Sequence, residues 1–166
     1  MEKTESQNIE LAPKTVAQSR TQQIQIIMPE HINGYNRLFG GKLVEWIDVV
    51  AAVVARRHCQ REITTVCIDN LHFKAAAHVN NTMVLIGQIT YVGTTSMEVR
   101  VDTYVEKISG ERSLVNSAYL VMVALGDDER PAKVPGLVLQ TEEERAEWEA
   151  GKKRSELRKQ RRIERY

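Results

Sequence analysis

The chain has 166 residues, enough for one domain of ordinary size with a substantial hydrophobic core. Its formal net charge of +1 argues against a nucleic-acid-binding protein that neutralises many phosphates, although the last fifteen residues are strongly basic. Two cysteines, Cys59 and Cys67, are too few for a disulfide framework, and the N-terminus lacks the apolar segment of a signal peptide. No apolar run reaches the roughly 20 residues of a membrane-spanning helix. We therefore expect a soluble, cytoplasmic protein that engages neither nucleic acid nor membrane.

Residues 1–20 are polar, and we predict a mobile tail there. Residues 22–27 alternate polar and apolar side chains, which is typical of a short strand. Pro29 ends that strand, since proline has no N–H for a sheet ladder, and a loop rich in asparagine and glycine follows. Residues 41–58 are apolar on nearly every side, which predicts a long buried helix.

Four extended segments follow this helix, at about residues 64–73, 82–92, 96–107 and 112–125. The third alternates most clearly, with Val99, Val101 and Thr103 on one side and charged residues on the other, which predicts one buried and one wet face. Short connections that contain Gly or Asn suit antiparallel hairpins. The order of elements predicts an α+β fold, in which an antiparallel sheet packs against one long helix.

From Thr141 onward, acidic residues cluster first and basic residues last, which complements a helix macrodipole. We predict a charged, solvent-facing helix over residues 141–166, with a division at Gly151 as one alternative. The chain would then consist of the tail (1–20), a folded domain (21–140) and this C-terminal helix.

Asp48 is the most unusual residue of the predicted central helix, because Ile47 and Val49 flank it in an apolar run. It lies too far from the helix start to be an N-cap, and burying a carboxylate without partners is costly. Two interpretations are open. Asp48 forms a structural ion pair with Arg100 or Lys74, or it is a functional carboxylate, since perturbed carboxylates cluster at active sites.

The loop before the helix is a second candidate. Gly40 and Gly41 would present free amide N–H groups at the positive end of the helix dipole, where they can stabilise an oxyanion. The same glycines can equally turn the chain into the helix, and Asn33 before Gly34 can be an ordinary turn.

A third candidate is the segment Gly93-Thr94-Thr95-Ser96. Its hydroxyl groups can hydrogen-bond a phosphate or a pantetheine group, or the segment can simply be the turn between two strands. The histidines and cysteines show no metal-ligand spacing. No serine-hydrolase elbow, Walker A loop or GxGxxG motif occurs either. Chemistry in this chain would therefore depend on carboxylate, amide and backbone groups, without a bound metal.

Residues 28–48 have the sequence MPEHINGYNRLFGGKLVEWID. This resembles the signature M-P-x-D-x-N-x-x-G-x-x-F-G-G-x-L-M-x-x-x-D of the hotdog-fold acyl-CoA thioesterases of bacteria and animal cytosol. The matching residues are Met28, Pro29, Asn33, Phe39, Gly40, Gly41, Leu43 and Asp48. Residues 93–96 and the charged C-terminal segment are also similar to the family, so the resemblance covers about residues 22–160. His31, Asn36 and residues 74–81 depart from the pattern, and these changes bear on acyl-chain preference and CoA affinity more than on the reaction.

The resemblance implies a hotdog fold, in which the sheet wraps around the long helix, and hydrolysis of fatty acyl-CoA to a free acid and CoA. Asp48 would be the general base or the nucleophile, Gly40 and Gly41 would hold the thioester oxygen, and Asn33 would come from the partner subunit. Residues 93–96 would contact CoA, which enters only as part of the substrate, and no other cofactor is implied. Two subunits would share a continuous sheet, and dimers would assemble into a trimer of dimers.

Two other functions are open. A hotdog protein can bind acyl-CoA as a sensor without hydrolysing it, although the set of Asn33, Gly40, Gly41 and Asp48 favours catalysis. A hydratase or dehydratase of acyl thioesters would pair a histidine with an acidic residue, and no histidine occupies the helix position of Asp48.

Overall fold

The computed structural model describes residues 12–165. The chain begins with β1 (Lys14–Thr15), α1 (Val16–Ser19) and β2 (Thr21–Ile26), followed by a short 3-10 turn at Pro29–His31. The central elements are α2 (Gly40–Cys59), β3 (Glu62–Phe73), β4 (Thr82–Val92), β5 (Ser96–Glu106) and β6 (Arg112–Leu125). The last elements are β7 (Leu137–Val138) and α3 (Glu142–Glu164). None of the helices in this part of the chain is long and apolar enough to cross a membrane.

Residues 12–20 are more ordered than the predicted tail. β1 pairs in parallel with β7, and α1 buries the side chains of Val16 and Ser19. The polar composition of the segment concealed this order, because Val16 is the one buried hydrophobic residue among residues 12–20. The part of the prediction that concerns residues 1–11 lies outside the described residues.

The sheet has five antiparallel strands in the order β2-β4-β5-β6-β3. β4 and β6 have the predicted bounds, whereas β3 begins at Glu62 instead of residue 64 and β5 ends at Glu106 instead of residue 107. The predicted α+β architecture is confirmed. Because β2 and β3 are the outer strands, each has one backbone edge that no strand of the described chain pairs with.

Helix α2 packs across one face of the sheet and forms the core with it. Ile47, Val50 and Val54 are almost completely buried. At Gly87 the helix comes so close that a Cβ atom would lie 2.7 Å from Val50 Cγ1. The predicted helix is confirmed, but it is not buried on every side, since Val49 is 49 % exposed. One side of an otherwise apolar helix is therefore left uncovered.

Helix α3 packs one side on the opposite face of the sheet, so the prediction of a wet face on β5 is wrong at Glu98. The predicted solvent-facing helix is confirmed except on that side, since most residues of α3 are exposed and only Gly151 is buried. Glu98 of β5 is only 1 % exposed. Its two carboxylate oxygens lie 2.8 Å from Arg154 Nη2 and 2.7 Å from Arg158 Nη1. Gly151 does not divide the helix but packs on the sheet, where a Cβ would lie 2.7 Å from Tyr91 Cβ. Burial of Glu98 is tolerated because its charge is paired with those of Arg154 and Arg158.

His58 near the end of α2 is completely buried. Its Nε2 lies 3.0 Å from the carbonyl oxygen of Pro135, to which it donates, and its Nδ1 has no hydrogen-bond partner within the described residues. Burial lowers the pKa of His58 below its ordinary value of 6.5, against a smaller raising effect of the hydrogen bond to Pro135. A histidine with a lowered pKa stabilises the fold above its ordinary pKa and loses that contribution as the pH falls.

We expect the free energy of unfolding to decline as the pH drops below 6.5, by up to about 1.4 kcal/mol per pH unit from this one histidine. His58→Gln, whose amide can still donate to Pro135, should flatten the decline. Urea unfolding at several values between about pH 5 and 8 measures the effect. The exposed His72, changed to Gln, is the control. Equal pH dependence in the wild type and His58→Gln would contradict this role of the buried ring.

Candidate functional site

Asp48 lies in the middle of α2, on the side of the helix that contacts β3. Its carboxylate Oδ1 accepts a hydrogen bond of 2.8 Å from Thr65 Oγ1, and its side chain is partly buried. Neither Arg100 nor Lys74 forms an ion pair with it within the described residues. Arg100 instead pairs with Glu147 beneath α3, on the other face of the sheet. The interpretation of Asp48 as half of a structural ion pair is therefore wrong, and a neutral hydroxyl holds this carboxylate.

Thr65 is the residue of this site that sequence reasoning missed. Its hydroxyl group touches both the Asp48 carboxylate and, at 3.3 Å, the Sδ atom of Met122. The pairing of β3 with β6 shifts register between Thr65 and Cys67, although exposed and half-buried positions keep alternating through the shift. The available signal was the two-residue period that places Thr65 on the same face as Ile63, next to the helix.

Asn33 closes the loop that precedes α2. Its side-chain Oδ1 accepts hydrogen bonds from the backbone N–H groups of Tyr35 at 2.9 Å and Arg37 at 3.3 Å. Its own N–H donates to the carbonyl oxygen of Arg37 at 2.8 Å. The carboxamide oxygen thus shapes the turn, which leaves the Nδ2 donor as the part of the side chain suited to a ligand.

Gly40 and Gly41 form the first turn of α2, after Phe39 in the N-cap position. The N–H groups of Lys42 and Leu43 donate to the carbonyl oxygen of Phe39. The N–H groups before them have no carbonyl one turn earlier to bind, which makes this helix start a site for negative charge. Gly41 has a packing reason as well, because a Cβ there would lie 2.6 Å from the Phe39 ring.

A cleft of about 420 Å³ opens at this helix start. Its lining includes Asn33, Gly40, Leu43, Phe73, Met83 and Val115. Asn33 and Gly40 therefore meet in one cleft within a single chain. Asp48 does not line it, because that carboxylate lies two turns further along α2, beside the start of β3.

Residues 93–96 form the tight turn between β4 and β5, in which the Gly93 N–H donates to the Ser96 carbonyl oxygen at 2.8 Å. This segment is not in the cleft of Asn33. Thr95 and Ser96 instead line a separate groove beside α3, on the outer face of the sheet. The predicted site residues therefore lie in three separate places. Asp48 lies beside β3, Asn33 and Gly40 line the cleft, and Thr95 and Ser96 line the outer groove.

Comparison with known proteins agrees with this architecture. The model of the thioesterase superfamily matches residues 35–110. The acyl-CoA thioester hydrolase YkhA of Bacillus subtilis, itself uncharacterised, is 40% identical over 119 residues, which cover 71% of this chain and 69% of that protein. The human cytosolic acyl coenzyme A thioester hydrolase is 32% identical over 146 residues, 86% of this chain. The matched part is only 38% of the human protein's own length.

Solved structures show the same similarity over nearly the whole chain. A hexameric acyl-CoA thioesterase in its apo form superposes with a TM-score of 0.87 at 37% identity, covering 91% of this chain and 97% of that one. An acyl-CoA hydrolase from Staphylococcus aureus, in complex with butyryl coenzyme A, coenzyme A and coenzyme A disulfide, superposes with a TM-score of 0.87 at 29% identity. It covers 92% of this chain and 94% of its own.

Proposed function

This chain belongs to the acyl-CoA thioester hydrolases of the thioesterase superfamily, and we propose that it hydrolyses fatty acyl-CoA to a free acid and CoA, with Asp48 as the reacting carboxylate. The observation that carries the proposal is the partly buried carboxylate of Asp48, which is held by Thr65 and paired with no cation within the described residues. A carboxylate in this position does not serve the apolar core, so a chemical role accounts for it better.

The proposed active site lies between two subunits. Asp48 contacts Thr65 near the start of β3, whereas the cleft of Asn33 lies at Phe73, where β3 ends. A two-fold axis perpendicular to the sheet would pair β3 antiparallel with its copy, and the start of one strand would then lie beside the end of the other. This arrangement would bring Asn33 of the partner subunit towards Asp48.

The edge of β3 supports such pairing. No strand of the described chain lies beyond it, and it exposes Val66 by 61 % and Ile68 by 39 %. Val49, on the uncovered side of α2, is a further exposed apolar side chain. Edge strands that stay unpaired usually carry charges or prolines that discourage association, and these positions are apolar instead.

In the proposed reaction, the thioester carbonyl lies at the cleft, where N–H groups of a first helical turn stabilise negative charge on oxygen. Asp48 takes a proton from a water molecule, which adds to the carbonyl carbon. Collapse of the tetrahedral intermediate breaks the C–S bond, and CoA leaves as the thiol once it receives the proton. Asn33 orients the water. Attack by Asp48 itself, through a mixed anhydride that water then hydrolyses, uses the same groups.

The hydrogen bond from Thr65 should position the Asp48 carboxylate for this step. Thr65→Val removes the bond and keeps the shape, and we expect kcat to fall by about tenfold, since a hydrogen bond to a charged group contributes on the order of 1.5–3 kcal/mol. Thr65→Ser should restore most of the rate. The exposed Thr64, changed to Val, is the control. If Thr65→Val and Thr64→Val have the same kcat, the hydroxyl of Thr65 does not position the base.

Pairing of the β3 edges would make the protein a dimer. We further propose that three such dimers associate into a trimer of dimers, because one of the similar structures is hexameric. A second apolar surface supports contacts between dimers. Ile24 and Ile26 on the outer strand β2 are each more than half exposed, and Met28 follows them. A cytoplasmic location is proposed by analogy, because the similar human protein is named as cytosolic.

The direct test is the release of free thiol from a panel of acyl-CoA esters with short to long acyl chains. We expect the wild-type protein to liberate CoA from part of the panel, and the preferred members define the acyl-chain range. A protein that binds these esters and releases CoA from none of them would be a sensor, which would overturn the proposal.

A further inference from the structure

The cleft of Asn33 carries two cations that the proposed reaction does not use. Arg37 and Lys74 both line it, and both side chains are exposed. Neither side chain forms an ion pair or a hydrogen bond within the described residues. No acidic side chain of residues 12–165 lines the cleft, so these two positive charges are not balanced within the described chain.

The two cations come from segments that are distant in the sequence. Arg37 belongs to the loop before α2, and Lys74 follows directly after β3. The backbone N–H of Leu38 donates to the carbonyl oxygen of Ala77 at 2.8 Å. This hydrogen bond joins the two segments, and it therefore holds both cations at the same cleft.

The second segment is one of the places where the sequence departs from the thioesterase pattern. Residues 74–81 begin with Lys74 and three alanines, and all four of these residues line the cleft. Alanine side chains are short, so this wall leaves room beside the lysine. A departure from the pattern that lies in the cleft itself bears on which acyl group the cleft accepts.

The cleft offers three different environments to a ligand. At Gly40, the first turn of α2 favours negative charge on an oxygen atom. The floor is apolar, since Leu43, Met83 and Val115 line it and each is at most 3 % exposed. The exposed rim carries the two cations. A ligand that matches all three environments has two polar ends joined by an apolar chain.

We propose that this cleft selects acyl-CoA esters of dicarboxylic acids, with the second carboxylate of the acyl group bound by Arg37 and Lys74. The inference rests on the proposed function, because the thioester end of the acyl group lies at the first turn of α2. A guanidinium group binds a carboxylate through two parallel hydrogen bonds, and an ammonium group adds a point charge. Esters of monocarboxylic acids remain substrates, but they leave both cations without a partner.

The test compares esters in matched pairs: succinyl-, adipyl- and suberyl-CoA against butyryl-, hexanoyl- and octanoyl-CoA. Arg37→Ala with Lys74→Ala removes the cations of the cleft, whereas Lys152→Ala with Lys153→Ala removes the same charge from exposed positions of α3 outside it.

For the dicarboxylic ester that the wild type prefers, we expect kcat/KM to fall at least about tenfold in the cleft variant, since charge-assisted hydrogen bonds are lost. The matching monocarboxylic ester should stay within about twofold of its wild-type value, because it makes no such bonds. The control variant should behave as the wild type does, and the difference should shrink at high salt.

Two kinetic outcomes would overturn the proposal. An equal loss for both members of a pair would mean that the cations act on the CoA part of the substrate or on the reacting groups. A wild-type protein that hydrolyses only monocarboxylic esters would exclude the selection directly.

Binding to Asp48→Ala separates this inference from the proposed hydrolysis, because it needs no turnover. Calorimetric titration should show tighter binding of suberyl-CoA than of octanoyl-CoA. This preference should disappear when Arg37→Ala and Lys74→Ala are added. Equal affinities of Asp48→Ala for the two esters would overturn the carboxylate site, whether or not the wild type hydrolyses acyl-CoA.

Discussion

Asp48→Ala should lower kcat for acyl-CoA hydrolysis by at least about 100-fold, the lower end of what a positioned general base contributes. The same loss is expected if Asp48 is the nucleophile, since the reacting group disappears in either route. We expect the variant to fold, because within the described residues the Asp48 carboxylate interacts with the hydroxyl group of Thr65 and with no buried cation. Thiol release at saturating substrate, with thermal unfolding as the check on folding, measures the effect.

Two further variants make this prediction specific. Asp48→Asn keeps the size of the side chain and an acceptor for Thr65, but it neither takes a proton nor attacks a thioester, so it should be as inactive as Asp48→Ala. Glu45→Ala removes an exposed carboxylate of the same helix, which pairs with Lys42, and should keep the wild-type rate. A folded Asp48→Ala protein with wild-type kcat would exclude Asp48 as the reacting group.

The second large effect concerns stability. Glu98→Ala should lower the free energy of unfolding by about 3 kcal/mol, the lower end for breaking a buried ion pair by removing one partner. Glu98 is 1 % exposed and accepts from Thr90 Oγ1 at 2.7 Å in addition to its two arginines. Without it, Arg154 and Arg158 keep one other acidic partner each, which limits the loss. Urea unfolding gives the difference.

The control for this variant is Glu106→Ala on the same strand. Glu106 pairs with Arg112 at 2.6 Å, with side chains that are 26% and 38% exposed. A pair so accessible to solvent contributes less than about 1 kcal/mol. If both variants lose the same free energy, the buried network does not hold α3 on the sheet.

The sheet and the central helix were predictable because their signals are local. The bounds of β4 and β6 follow from alternating side chains and turn residues, and α2 follows from an apolar run too long for a strand. Asp48 stood out for the same reason, since a carboxylate within an apolar run is visible without any tertiary contact.

The position of α3 on the sheet was not predictable, because it depends on ion pairs between residues that are far apart in the sequence. Glu98 and Arg154 are separated by 56 residues, and each taken alone is typical of a solvated surface. Only their pairing in the fold makes burial tolerable. Gly151 was misinterpreted for a related reason: a glycine within a helix suggests a break, whereas here it permits close contact with Tyr91. The period of β3 places Thr65 on the half-buried side of the strand, but its contact with Asp48 depends on how β3 packs against α2, which the strand alone does not reveal.

The most direct test of a site shared between subunits is complementation. Chains that carry Asp48→Ala and chains that carry Asn33→Ala are produced together in equal amounts, and thiol release is compared with each variant alone. In a mixed dimer one site has both replacements and the other has neither, so random pairing should restore about a quarter of the wild-type rate. If Asp48 and Asn33 acted within one chain, every site would lack one of them. A mixture no more active than its two parents would therefore contradict the account.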